Sequence, residues 1–228
     1  MKVLSPLMLF VSVATALMGA TALTALAEEP ASDVLAVRWV MAGLEKDADP
    51  SHPISISPEA TLRTGDKIKM YLNAVNKCFF YLFYHNPEGQ LQLIYPDSLP
   101  AAALVRGTRL TVPQGDHWFE LDQKTGTETF HVLVSPTPLR SIEILYEDYR
   151  RQAFENGSSA TRLITAIDRL RHQQRPLTSK AERPLSIGGT IRGTPDAGAD
   201  TTESRLDHLA EDILTTDVFC RTYTIEHH

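Results

Sequence analysis

The sequence predicts a mainly β fold with helical additions: an antiparallel β-sandwich or partly open barrel, with a helical hairpin over about 139–172 inserted before the final strand. Three observations predict it. Short apolar or alternating runs between residues 62 and 134 are punctuated by Gly and Pro turns at roughly 8–12 residue spacing, as in sandwiches and barrels. One run, Cys78–Tyr84 (CFFYLFY), is apolar on both faces and reads as a strand covered on both sides. Two stretches of 3.6-residue periodicity then separate this region from a last β-rich run, VFCRTYTI, at 218–225.

Composition bounds the reading. The chain has 228 residues, enough for one domain with additions or at most two small ones. Hydrophobic residues make up 43%, which suffices for a core and excludes wholesale disorder. The 28 acidic residues outnumber the 22 basic ones, which argues against a nucleic-acid partner, because phosphate neutralisation needs a basic surface. Two cysteines exclude a four-thiolate zinc site and a cysteine-rich scaffold.

Residues 1–27 read as a secretory signal peptide. Lys2 forms the positive start, an uncharged apolar run follows, and Ala25-Leu26-Ala27 forms a small-x-small site ahead of Glu28-Glu29-Pro30. The run is long enough to be a retained transmembrane helix, but the Ala-x-Ala site favours cleavage after Ala27. No Cys follows it to carry a lipid anchor. The expectation is a periplasmic or secreted protein with no membrane insertion after cleavage.

The remaining elements follow in order. Residues 28–60 hold a first Val-rich strand, near 34–42, and a polar stretch with Pro50, Pro53 and Pro58 that reads as loop. Residues 61–138 form the β core. Lys67–Ala74 alternates, with Ile68, Met70 and Leu72 on one face and Lys67, Lys69, Tyr71 and Asn73 on the other, so it reads as a half-buried strand. His85-Asn86-Pro87-Glu88-Gly89 turns CFFYLFY back into Leu91–Tyr95 as a hairpin. Arg109–Val112, Trp118–Leu121 and Thr127–Val134 read as further strands. In 139–174, Leu139, Ile142, Leu145, Tyr146 and Tyr149 mark one amphipathic helix, which Asn156-Gly157 ends. Ser158 or Ser159 caps a second, striped by Leu163, Ile164, Ile167 and Leu170. Residues 175–202, rich in Pro and Gly, read as a flexible loop. In 203–228, Leu206, Leu209, Ile213 and Leu214 suggest a brief helix before the final strand returns to the sheet.

Leu62-x-x-Gly65-Asp66, CFFYLFY, Asn86-Pro87-Glu88-Gly89 and Leu93-Ile94-Tyr95-Pro96 follow one another in an order that resembles the domain-of-unknown-function family DUF4384. The Gly107–Pro113 segment, Gly126-Thr127-Glu128, Ser135-Pro136-Thr137-Pro138-Leu139 and the terminal Arg221-Thr222-x-Thr224-Ile225-Glu226-His227 extend the likeness. It covers about residues 60–139 and the last ten or so. Asp97 departs from the Asn often found there. The resemblance implies a β-rich, often exported domain and carries no catalytic residues.

No P-loop, GxSxG, HExxH, GxGxxG or EF-hand pattern occurs, so no catalytic, cofactor-binding or metal residue is assigned. Asp116-His117-x-x-Glu120, with His131, is the nearest approach to a zinc set, but residues 117 and 120 of a strand point to opposite faces. Ser57, Ser98 and Ser135 lie within two residues of a proline, where a hydroxyl commonly serves a turn. His227 and His228 read as tail. Cys78 and Cys220 are a candidate disulfide in an oxidising compartment, or else two separate buried thiols. Tyr95 and Trp118 are the candidate contact surface, and the 96–106 and 173–202 loops are further candidates. The expected function is an exported, non-enzymatic module binding a protein or envelope component. The alternatives are a small-ligand or glycan-binding domain, and an extracytoplasmic hydrolase with a non-local site. A deep pocket with convergent polar groups favours the alternatives; a flat, extended apolar face favours the first reading.

Overall fold

Two sheets face each other across one apolar core, in a computed structural model that describes residues 34–152, 157–174 and 201–228. The expected leader and most of the Pro/Gly-rich stretch lie outside the described residues. The first sheet contains β1 (Leu35–Leu44), β2 (Ile54–Ser55), β4 (Lys67–Ala74), β7 (Arg109–Val112), β8 (Phe119–Glu120) and β10 (Glu211–Thr215). Its main path is β10-β1-β4-β7, with β2 added on β1 and β8 on β4. The second runs β3 (Glu59–Leu62), β11 (Phe219–His227), β9 (Gly126–Ser135), β5 (Phe79–His85), β6 (Leu91–Tyr95). The architecture is a sandwich, not a barrel.

Period-two alternation builds the core. Val37, Trp39 and Met41 of β1 and Ile68, Met70 and Leu72 of β4 face Phe80 and Leu82 of β5 and Phe130, Val132 and Val134 of β9. The Trp39 indole donates a hydrogen bond to the Tyr223 hydroxyl at 2.8 Å, tying β1 to β11 across the core. The last strand is interior to the second sheet: β11 pairs with β3 on one side and with β9 on the other, from Phe219↔Val134 to His227↔Gly126.

Helices cover both outer faces. Helices α1 (Arg140–Arg151) and α2 (Gly157–Gln173) lie on the second sheet, where Ile142, Tyr146, Leu163 and Ile167 pack on Tyr81, Phe83, Leu133 and Cys220. The Tyr81 hydroxyl donates to Glu143 at 2.8 Å and accepts from the Leu139 amide at 3.0 Å. Glu143 also accepts from the Ala101 amide and from Arg140. Burial opposes its ionisation, but these donors outweigh it and hold its pKa below the usual value. The Tyr146 and Tyr149 hydroxyls accept from the Leu93 and Leu91 amides, so the outer edge of β6 meets a helix instead of another strand.

Helix α3 (Thr202–Leu209) covers the first sheet, with Leu206 packed on Val40, Ala42 and Tyr71. Thr201 caps it by accepting from the Ser204 amide at 3.2 Å. Asp207 anchors it, accepting from Tyr71 at 2.7 Å and pairing with Arg38.

Several expectations need correction. The 43–60 stretch is not all loop: it holds β2 and part of β3, and β3 runs parallel to β11, so the second sheet is not wholly antiparallel. Leu206 to Leu214 is not one helix. The chain turns extended at Ala210 (ψ 134°), and Ile213 enters the core from β10. Gly157 opens α2 instead of ending α1. β4 is covered on both faces: Lys69 is 0% exposed and donates to the carbonyls of Pro113, Gly115 and His117. Its ammonium thus replaces lost water with three backbone acceptors.

Candidate functional site

At one end of the sandwich the inward stripes change character. On β9 the stripe Val134, Val132, Phe130 ends in Glu128; on β5 the stripe Phe80, Leu82 ends in Tyr84. On β6, Gln92 follows Ile94 on the same face. These ends, with Phe119 of β8 and the 120–124 segment, enclose a cavity of about 370 Å³. Its floor is apolar, from Ile68, Ile94, Phe119 and Phe130, and its rim carries Glu88, Glu120, Asp122 and Lys124.

Two local devices shape it. The Asn86–Gly89 turn is closed by the Gln90 amide donating to the Asn86 side chain at 2.7 Å. Gly126 has φ 139°, and a Cβ there would lie 2.9 Å from Pro87. Only glycine lets the start of β9 approach the turn this closely.

Glu128 is the most enclosed polar group on the cavity wall, 6% exposed. One oxygen accepts from the Tyr84 hydroxyl at 3.0 Å, and the other lies 3.0 Å from His227 Nδ1. His227 Nε2 in turn lies 3.1 Å from Thr64 Oγ1. Burial, followed by the neighbouring Glu128 charge, drives the Tyr84 phenol pKa upward, so the ring stays neutral and donates. Tyr84 and Phe130 pack ring against ring at 4.9 Å.

The β4, β5, β6, β8 and β9 walls of this cavity all come from one continuous part of the chain. Residues 61–138 match the family model of DUF4384, a domain of unknown function. No curated protein and no solved structure matches the chain significantly. The DUF4384 segment thus supplies the cavity lining, while His227, which supports Glu128 from β11, lies outside the matched span.

The residues singled out from sequence are dispersed. Tyr95 is partly buried, packing on Phe80 at 5.3 Å within the core edge. Trp118 sits on the opposite side of the first sheet, beneath α3 and 5.8 Å from the Lys69 ammonium. They do not share a surface. Asp116, His117 and Glu120 converge on no metal geometry; among the described residues no group of three His, Cys, Asp or Glu is placed to hold an ion. The Ser135 hydroxyl accepts from the Thr137 amide, and the Ser57 hydroxyl donates to the Glu59 carbonyl, both turn roles.

Cys78 and Cys220 are both free and buried, the second of the two readings the sequence leaves open. Cys78 points into the inter-sheet core and Cys220 toward the helices. Two strand spacings and three residues of rise separate them, on the order of 14 Å, beyond disulfide reach. Burial pushes both thiols up to about 12.

Sequence reasoning missed Glu128 and His227. Each carried a signal: Glu128 shares the period-two face of Phe130 and Val132, and His227 shares that of Tyr223 and Ile225. A carboxylate and an imidazole continuing two apolar stripes on paired strands mark a built polar end to the core.

Proposed function

We propose that the protein is an exported, non-enzymatic binding module that takes a small ligand in the cavity at the open end of the sandwich. One observation carries this reading. Helices occupy the outer faces of both sheets, whereas the cavity combines an aromatic floor with convergent polar groups. That combination is typical of small-molecule sites. It favours the small-ligand alternative over docking on a flat sheet face. Export rests on the sequence pattern of residues 1–30.

Thr64, His227 and Glu128 stand in the order of a hydrolase triad. Yet Glu128 lines the cavity and Thr64 does not, so a ligand there meets the acid and not the hydroxyl. The chain of contacts instead fastens β11 to the turn before β4, where the Thr64 amide also donates to the His228 carbonyl at 3.1 Å.

A thermal-shift screen of small molecules, spanning cations, sugars and carboxylates, tests the reading. Ligands bound to the native state raise Tm by mass action. Hits should stabilise the wild type and lose their effect in Ile94→Trp, which fills the cavity. No hit, or hits unaffected by Ile94→Trp in a folded variant, would overturn it.

A further inference from the structure

We infer that the cavity selects a small organic cation carried on an apolar body. The inference rests on the cavity being the binding site and names the ligand's chemistry. Four carboxylates line the cavity, at Glu88, Glu120, Asp122 and Glu128, against one ammonium, Lys124. That ammonium is already committed to Glu88 at 2.9 Å. Of the other basic groups described, the Lys67 ammonium reaches Glu120 at 3.9 Å and the His227 imidazole lies 3.0 Å from Glu128.

Glu128 sits where charge matters most. It is enclosed, so its field is less screened than that of a rim carboxylate. Tyr84 and His227 give it one donor on each oxygen, which fixes its orientation and leaves acceptor capacity unused. Tyr84 and Phe130 also line the cavity, and aromatic rings attract a cation through their quadrupoles. Ile68, Ile94 and Phe119 provide the surface against which an aliphatic or aromatic stem is buried. An anion entering this space meets a lining with more carboxylates than ammonium groups. A neutral sugar meets carboxylates with no charge to balance.

The volume, about 370 Å³, falls at the lower end of the range for small-molecule sites. It suits a short stem with one terminal charge.

Isothermal titration of the full chain with a matched series reads the selectivity directly. The probes are 4-phenylbutylamine, 4-phenylbutan-1-ol and 4-phenylbutyrate, which share a stem and differ in charge. The amine should bind about tenfold tighter than the alcohol, a difference worth about 1.4 kcal/mol, and the carboxylate should bind weakest. Added salt should narrow the gap. Glu128→Gln should reduce amine affinity about tenfold and leave the alcohol unchanged. Because Glu128 is buried, Glu120→Gln on the exposed rim gives a second, milder reduction without a folding risk.

Equal or tighter binding of the alcohol or the carboxylate refutes the cation preference while leaving the cavity as a binding site. The preference is refuted in the same way if all three fail but an uncharged compound from the thermal-shift screen binds and is blocked by Ile94→Trp. If nothing binds in either experiment, both readings fall.

Discussion

Glu128 and His227 meet at 3.0 Å as diagonal neighbours on paired strands, the carboxylate on β9 and the imidazole on β11. Both side chains point between the sheets. The contact joins the cavity wall to the strand that ends the chain. It makes His227 part of the site's scaffold, and it gives one oxygen of a buried carboxylate its donor.

The first prediction concerns that contact. His227→Ala should destabilise the fold by about 1–3 kcal/mol, the usual cost of leaving a buried acceptor without its donor. Urea unfolding followed by circular dichroism measures it. His228→Ala, which changes a neighbouring residue with an exposed side chain, should stay within about 0.5 kcal/mol of wild type. Equal behaviour of the two variants would show that His227 is only a tail residue.

A second prediction concerns Tyr81 and Glu143, which hold α1 on the second sheet. Tyr81→Phe removes a donor to Glu143 and the acceptor for the Leu139 amide, and should cost about 1–3 kcal/mol. In a double-mutant cycle with Glu143→Gln the two should couple, because they share one network. Glu143 has a lowered pKa in the fold, so its contribution is present above the unfolded carboxylate value and fades as pH falls through the folded one. Additive losses would show that the helix docks through its apolar face alone.

The third is a pH dependence. His131 on β9 is 4% exposed, its Nδ1 lies 3.2 Å from Thr222 Oγ1, and its Nε2 is buried without a hydrogen-bond partner. Burial lowers its pKa to about 4; Asp168 opposes the shift, while His85 and Arg171 add to it. The unfolded chain binds a proton more readily, so stability is full above the unfolded value, near 6.5, and falls as pH drops toward 4. The loss across that window is on the order of 3 kcal/mol. Unfolding free energies at pH 7 and pH 5 should differ less in His131→Leu than in wild type. An unchanged slope would count against the imidazole as its source.

The fourth concerns the thiols. Both should resist a thiol reagent in the native protein, since burial holds them protonated at pH 8, and both should react after denaturation. Intact mass should show no change on reduction. A gain of two hydrogens would establish a bridge and contradict the placement of Cys78 and Cys220 on opposite faces of the second sheet.

Strand boundaries were most legible where alternation and turn residues agreed. β4, β6 and β7 begin and end where the sequence predicts, because Gly-Asp, Pro and Gly flank clean runs. β2 and β3 were hidden because they are short, exposed edge pieces whose pairing is set by β1 and β11 and not by their own residues. β10 was hidden because Leu206, Leu209 and Ile213 keep helical spacing across a chain that changes conformation at Ala210. Lys69 illustrates the same limit. Alternation places it opposite Ile68, but only the tertiary fold shows that the 113–117 loop covers that face. The site was less legible still, since it is built from the ends of five strands separated by up to 62 positions, Ile68 to Phe130.

The most direct test of the cavity as the binding site is a chemical-shift map of isotopically labelled protein titrated with a hit from the small-molecule screen. Shifts should cluster at Tyr84–Glu88, Gln92–Ile94, Phe119–Lys124 and Glu128–Phe130, with the His227 imidazole responding through Glu128. Shifts concentrated instead on α1, α2 or α3, with these residues silent, would contradict it.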